Sequence, residues 1–232
     1  MKLQYLGDSK DSFKWHYHDY LAQELGFPLL NIAFMMTPDD GSNDGKSDPS
    51  LFPAGREIIK FCKILRKKRS IDEIRRLPKV TGAKYEIKFH NNEDEFKNQN
   101  REHYFSGFSA EKDHQLVFLD PDTGFEPKEP NETHVLYSDI KSILGQISYG
   151  SVISVFQHFR RKKFEEDFAE IKKGLPSEHA TAIWWRSAQH SVMFVAVGKS
   201  QKDIAKVREA NENYLGTIQP KLAPKSRIST IP

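Results

Sequence analysis

The chain has 232 residues, of which 38% are hydrophobic and 12% aromatic: enough for one domain with a sizeable core, and too apolar for a disordered segment. Net charge is +3 and Cys62 is the single cysteine, which excludes a disulfide framework or a cysteine zinc site. No apolar run reaches the roughly 20 residues that span a bilayer, and residues 1–5 lack the apolar stretch of a signal peptide. The reading is therefore a cytoplasmic protein with no membrane partner.

Residues 11–25 read as a helix: Asp11 or Ser12 can cap it, and Phe13, Tyr17, Tyr20, Leu21 and Leu25 recur at helical spacing. Residues 29–36 are apolar but for Asn31, as in a strand buried on both faces. A long loop over 37–53 follows, rich in Asp, Gly, Asn, Ser and Pro, and loops of that length are often functional. Residues 55–68 form an amphipathic helix with Ile58, Ile59, Cys62 and Leu65 inside and basic residues outside. A short helix over 71–77 and a half-buried strand over 84–89 come next. Residues 91–113 are polar, read as helix and loop. Residues 115–119 and 151–156 are buried strands, each followed by polar residues, and 138–144 is a helix between them. Residues 160–173 form a charged helix, 180–186 and 191–197 an antiparallel pair, and 200–215 the last helix. Strands alternating with helices predict an α/β fold: an open, mostly parallel Rossmann-like sheet, helices on both faces, and a C-terminal antiparallel pair. One domain covers 1–216, and 217–232 reads as a mobile or surface-draped tail.

In open α/β sheets ligands bind outside the carboxyl ends of the strands. Three polar clusters fall there: Thr37 to Gly45, Asp120-Pro121-Asp122, and Gln157-His158-Phe159-Arg160. A carboxylate at a strand end is held rigidly with its head reachable, so Asp120 and Asp122 are candidate catalytic groups. Asp39 and Asp44 join them from the first loop, and His158 is a candidate acid, base or phosphate contact. Asp8, Lys14, Asn43 and Gln157 are candidate substrate contacts, with Lys14 free to meet a phosphate or to pair with Asp120. Basic runs at 60–79 and 160–163 flank this acidic centre, so Lys67, Arg69, Arg160 and Arg161 are candidates for a DNA backbone. No Walker loop, Gly-x-Gly-x-x-Gly, His-Glu-x-x-His or Gly-x-Ser-x-Gly occurs, which argues against a nucleotide cofactor, a metalloprotease-type zinc site and a serine nucleophile. His16 and His18 do not share a helix face, so they are not read as a metal pair.

The order of these pieces resembles the bacterial large-subunit ribosomal RNA adenine-N6 methyltransferases, within the Rossmann-like methyltransferases. Gly7-Asp8 through Asp11-Ser12-Phe13-Lys14-Trp15 is similar to that family's opening segment, and Phe118-Leu119-Asp120-Pro121 to its catalytic Asp-Pro-Pro-Tyr. The motif set Gly-Asp…Lys, Thr-Pro-Asp…Asn-Asp-Gly and Asp-Pro-Asp-x-Gly also resembles an uncharacterised bacterial family, in keeping with an enzyme that acts on DNA. The methyltransferase resemblance implies S-adenosylmethionine as cofactor. The departures point away from it: the small glycine-rich donor loop is replaced by Thr37-Pro38-Asp39-Asp40-Gly41-Ser42-Asn43-Asp44-Gly45, and Asp122 and Thr123 stand where the second proline and the base-stacking tyrosine would be. The first functional expectation is a hydrolytic DNA-processing enzyme. It would be a DNA glycosylase needing no cofactor and no metal, in which carboxylates assist cleavage of the N-glycosidic bond of a flipped base. The alternatives are an S-adenosylmethionine-dependent nucleic-acid methyltransferase and a metal-dependent nuclease. DNA is the expected partner, with no obligate protein partner.

Overall fold

The computed structural model describes residues 1–38, 41, 45–90, 96–108 and 114–232. Nine strands are present among them: β1 (Leu29–Phe34), β2 (Glu86–Phe89), β3 (Leu116–Asp120), β4 (Gly124–Phe125), β5 (His134–Val135), β6 (Val152–His158), β7 (Ala180–Arg186), β8 (Ser191–Gly198) and β9 (Arg227–Ile231). The α-helices are α1 (Ser9–Glu24), α2 (Arg56–Lys68), α3 (Leu77–Thr81), α4 (Arg101–Tyr104), α5 (Tyr137–Gln146), α6 (Phe164–Gly174) and α7 (Gln201–Ile218).

Seven strands form one sheet in the order β2-β1-β3-β6-β8-β7-β9, while β4 and β5 make a separate two-stranded ribbon. The pairs β1–β2, β1–β3 and β3–β6 are parallel. The pairs β6–β8, β7–β8 and β7–β9 are antiparallel, so five of the seven strands run one way. The Rossmann-like α/β architecture and the antiparallel C-terminal pair are as expected.

The alternation of side chains along each strand divides the core in two. Leu30, Ile32, Leu116, Phe118 and Phe194 face a layer built on α1, α2 and α7. Ala33, Val117, Leu119, Ile153 and Val195 face a layer built on α5 and α6. A sheet covered on both faces explains why the central strands read as nearly continuous apolar runs rather than alternating ones.

Two local expectations are corrected. Helix α1 starts at Ser9 rather than residue 11, because Asp8 supplies the cap: its Oδ1 accepts the Asp11 N–H at 2.9 Å. The segment 217–232 is not a mobile or draped tail. Helix α7 runs through Ile218, and Arg227–Ile231 adds to the sheet edge opposite β7, with Thr181 Oγ1 donating to Ile231 O at 2.7 Å. A lone edge strand with polar alternation carries little hydrophobic signal, so its partner decides it.

From β1 the chain goes to β2 on one side, then returns past β1 to β3 on the other. The strand order thus reverses between β1 and β3, whose carboxyl ends are the usual ligand position of an open α/β sheet.

Candidate active site

At this end of the sheet lies a small pocket, about 340 Å³ of empty space counted out to its open mouth. The start of α1 contributes Asp8, Lys10, Asp11 and Lys14; the end of β3 contributes Asp120, Pro121 and Asp122. Phe156 and His158 come from β6, and Met1 and Tyr5 from the first segment of the chain.

Lys14 anchors the floor. It sits in the first turns of α1 and is buried, with Nζ 2.8 Å from Asp120 Oδ2 and 3.0 Å from Asp11 Oδ1. Asp11 is itself held by the Gly7 N–H at 2.7 Å from Oδ2. Burial works to lower the Lys14 ammonium, but Asp11 and Asp120 outweigh it and hold it above its ordinary value. Burial pushes the Asp120 carboxyl up, against the pull of Lys14. The ion pair favours the charged forms of both groups, because the ammonium has two carboxylate partners within hydrogen-bond reach.

Beneath this floor, His18 links α1 to the sheet. Its Nδ1 lies 2.7 Å from Lys14 O and its Nε2 2.9 Å from Ser154 Oγ on β6, with the ring packed 4.0 Å from that of Phe118. Burial lowers its pKa to about 3, so the ring is neutral and positions the Lys14 backbone without adding charge. This one turn of helix is thereby tied to both central strands.

Asp122 is only 10% exposed and lies 3.5 Å from Lys2 Nζ. Asp8 is 4% exposed, and burial, with Asp11 adding to it, raises its carboxyl to about 6. Burial lowers His158 to about 3, with Lys10 and Lys14 working the same way, so the ring is uncharged at neutral pH. The amino group of Met1 donates to Met35 O at the end of β1, and burial brings it down to about 5.

The structure therefore brings together Asp8, Lys14, Asp120, Asp122 and His158 from the candidate residues, and the pairing of Lys14 with Asp120 is present. Asp39, Asn43 and Asp44 lie outside the described residues. Gln157 is buried behind the pocket, where its Oε1 accepts the Phe125 N–H at 2.9 Å and its Nε2 donates to His158 O at 2.7 Å. Arg160 donates to Phe125 O and stands 3.6 Å from Asp167 Oδ1. Arg161 is exposed with φ 61°, and Lys67 is exposed on α2. Arg69 ends α2 with φ 52° and donates to the carbonyls of Leu3, Gln4 and Leu6, stapling the wall of the pocket.

Sequence reasoning missed the site roles of Asp11, Tyr5 and Phe156. The Asp8–Asp11–Lys14 spacing of three carried a usable signal, since residues three apart share a helix face. Nothing local marked Tyr5 or Phe156.

Among the described residues no group of three or more His, Cys, Asp or Glu side chains is arranged to hold a metal ion. Among the described residues no helix is long and apolar enough to cross a membrane. Compared with known proteins, the chain matches no family model and no curated protein.

Proposed function

We propose that the chain is a DNA glycosylase that excises a modified base, such as those of phage DNA, and leaves an abasic site. The observation that carries this reading is the buried Lys14–Asp120 pair on the floor of a small pocket whose other walls bear Asp8, Asp122 and two aromatic rings. Breaking an N-glycosidic bond develops positive charge on the sugar, and a fixed carboxylate facing that charge lowers the barrier. Asp120 suits this role: it is at a strand end, already desolvated, and prevented from swinging by Lys14. Phe156 and Tyr5 supply faces for a flat ring.

A second support is the exposed basic stripe of α2. Arg56, Lys60, Lys63 and Lys67 are all exposed and fall at i, i+4, i+7 and i+11, a single face about 16 Å long at 1.5 Å per residue. Helix α2 abuts the pocket's rim, since Gly7, next to Asp8, packs against Cys62 O and Arg66 N. Such a row suits phosphates flanking an extruded nucleotide.

The test is incubation with unmodified and phage-type modified DNA, with chelator and no added cofactor. Free base and strand breaks that need alkali are expected. Breaks that need no alkali and vanish with chelator would identify a metal nuclease. Reaction only after S-adenosylmethionine is added would identify a methyltransferase.

A further inference from the structure

The pocket's carboxylates are not equivalent. Asp11 and Asp120 share the Lys14 ammonium, and Asp122 faces Lys2. Asp8 has no ion pair with any described residue. Its Oδ1 accepts the Asp11 N–H, while Oδ2 accepts no hydrogen bond from a described residue. The side chain nevertheless lines the pocket and is almost wholly buried. A buried carboxyl without a cation is more stable protonated, and one with a cation is more stable ionised. Burial raises both carboxyls, but only Asp120 has an ammonium within hydrogen-bond reach to hold it ionised, and two carboxyls in one pocket that differ in this way can divide acid and base roles between them.

We propose that Asp8 is the general acid of the reaction, donating its proton to the departing base while Asp120 stays ionised beneath the sugar. The assignment rests on the excision reading. In the step, the bond from C1′ to the base nitrogen breaks and its electron pair goes to the base. The Asp8 proton goes to the base, so that it leaves neutral. Water adds to C1′ and releases a proton to solvent, from which Asp8 is reprotonated. The base is on the Asp8 and Tyr5 side of the pocket and the sugar on the Asp120 side.

The charge state of Asp8 answers to groups on every element around it. Helix α1 presents Asp11, which raises it, and Lys10 and Lys14, which lower it. Asp120 and Asp122 at the end of β3, His158 on β6, and Tyr5 and the Met1 amine line the same pocket. On α2, Cys62 is close enough to feel the Asp8 charge. The Asp8 carboxyl at about 6 places its loss of a proton at the edge of neutral pH.

The experiment compares wild type, Asp8→Asn and Asp8→Glu in single-turnover base release from pH 4.5 to 8.5. Substrates are oligonucleotides whose target bases carry graded electron-withdrawing substituents. Asn caps a helix as well as Asp does, so D8N keeps the fold, and D8E retains an acid for partial rescue. Wild type should slow about tenfold per pH unit once Asp8 is ionised, since only the protonated fraction reacts. D8N should be slower by about 10² or more on poor leaving bases, with that limb of the profile gone. Its deficit should shrink as the leaving base becomes more acidic and needs no proton. Base release by wild type with an unaltered D8N pH profile and leaving-group dependence would overturn the assignment alone. No base release by wild type from any substrate would overturn the excision reading and this assignment with it.

Discussion

Lys14 Nζ meets Asp120 Oδ2 at 2.8 Å across 106 positions of sequence, joining the first helix to the end of a central strand. Both side chains are nearly inaccessible, at 6% and 2% exposure. Removing one partner of such a pair strands the other in a low-dielectric site. Lys14→Met should therefore cost about 3–5 kcal/mol of stability, the range for a broken buried pair, as read by urea unfolding. Asp120→Asn keeps the shape and a hydrogen-bond acceptor for Lys14, which also retains Asp11. It should lose less stability than Lys14→Met yet abolish base release. Unchanged turnover in D120N would remove Asp120 from the mechanism.

Asp8 makes a prediction about stability that is separate from catalysis. Its carboxyl is raised from 3.8 to about 6 in the folded chain. The folded state thus binds a proton more tightly than the unfolded state, and the stability this contributes is present below about pH 3.8 and lost as pH rises through about 6. The full difference is of order 3 kcal/mol at 1.36 kcal/mol per pH unit. Asp8→Asn cannot ionise, so it should be more stable than wild type at pH 7.5 by up to that amount. Near pH 4 the two should unfold at nearly the same urea concentration. Equal stability at both pH values would place Asp8 in a more solvated setting than its 4% exposure implies.

Gly7 has φ +79°, and a Cβ on it would come within 2.1 Å of Cys62 O and 2.6 Å of Arg66 N. Both are backbone atoms of α2, which cannot swing aside as a side chain would. Gly7→Ala should destabilise by at least about 1–3 kcal/mol from backbone strain alone. It should also displace the Gly7 N–H from Asp11 and loosen Lys14. A thermal melt and an activity assay should fall together. A variant with wild-type values of both would mean the α1–α2 contact yields more easily than its geometry suggests.

The α2 stripe predicts the salt dependence of DNA binding. Each phosphate contact contributes about 0.9 to the slope of log affinity against log salt. Lys60→Glu, Lys63→Glu and Lys67→Glu together should weaken binding and reduce that slope by roughly two to three. Arg69→Gln should behave differently, because its guanidinium is engaged by the carbonyls of Leu3, Gln4 and Leu6. It should lower stability and leave the slope nearly unchanged. Fluorescence anisotropy from low to moderate salt reads both outcomes.

The fold was legible because its signals are local. Residues 29–36, 115–119 and 151–156 are apolar without alternation apart from Asn31, Gln115, Ser151 and Ser154, as expected of buried parallel strands, and amphipathic segments separate them. Asp120 and His158 were legible as candidates because each ends such a strand. Arg69, Arg160 and Gln157 were read as substrate contacts from residue type and position. Their hydrogen bonds instead go to backbone groups of residues 3–6, 125 and 158. Charge says that a side chain wants a partner; it does not say whether that partner is a phosphate or a nearby carbonyl.

By itself the sequence determined the alternation of strand and helix, the two-sided burial of the sheet, and the pole at which polar residues gather. These follow from hydrophobic period and turn chemistry, which act over a few residues. The tertiary structure alone decided that Asp8 has no ion pair with a described residue while Asp11 and Asp120 share Lys14, that the Met1 amine meets Met35 O, and that residues 227–231 complete the sheet. Each of these depends on groups far apart in the chain meeting at low dielectric or along a strand edge. Burial and pairing energies of that kind have no counterpart in local sequence.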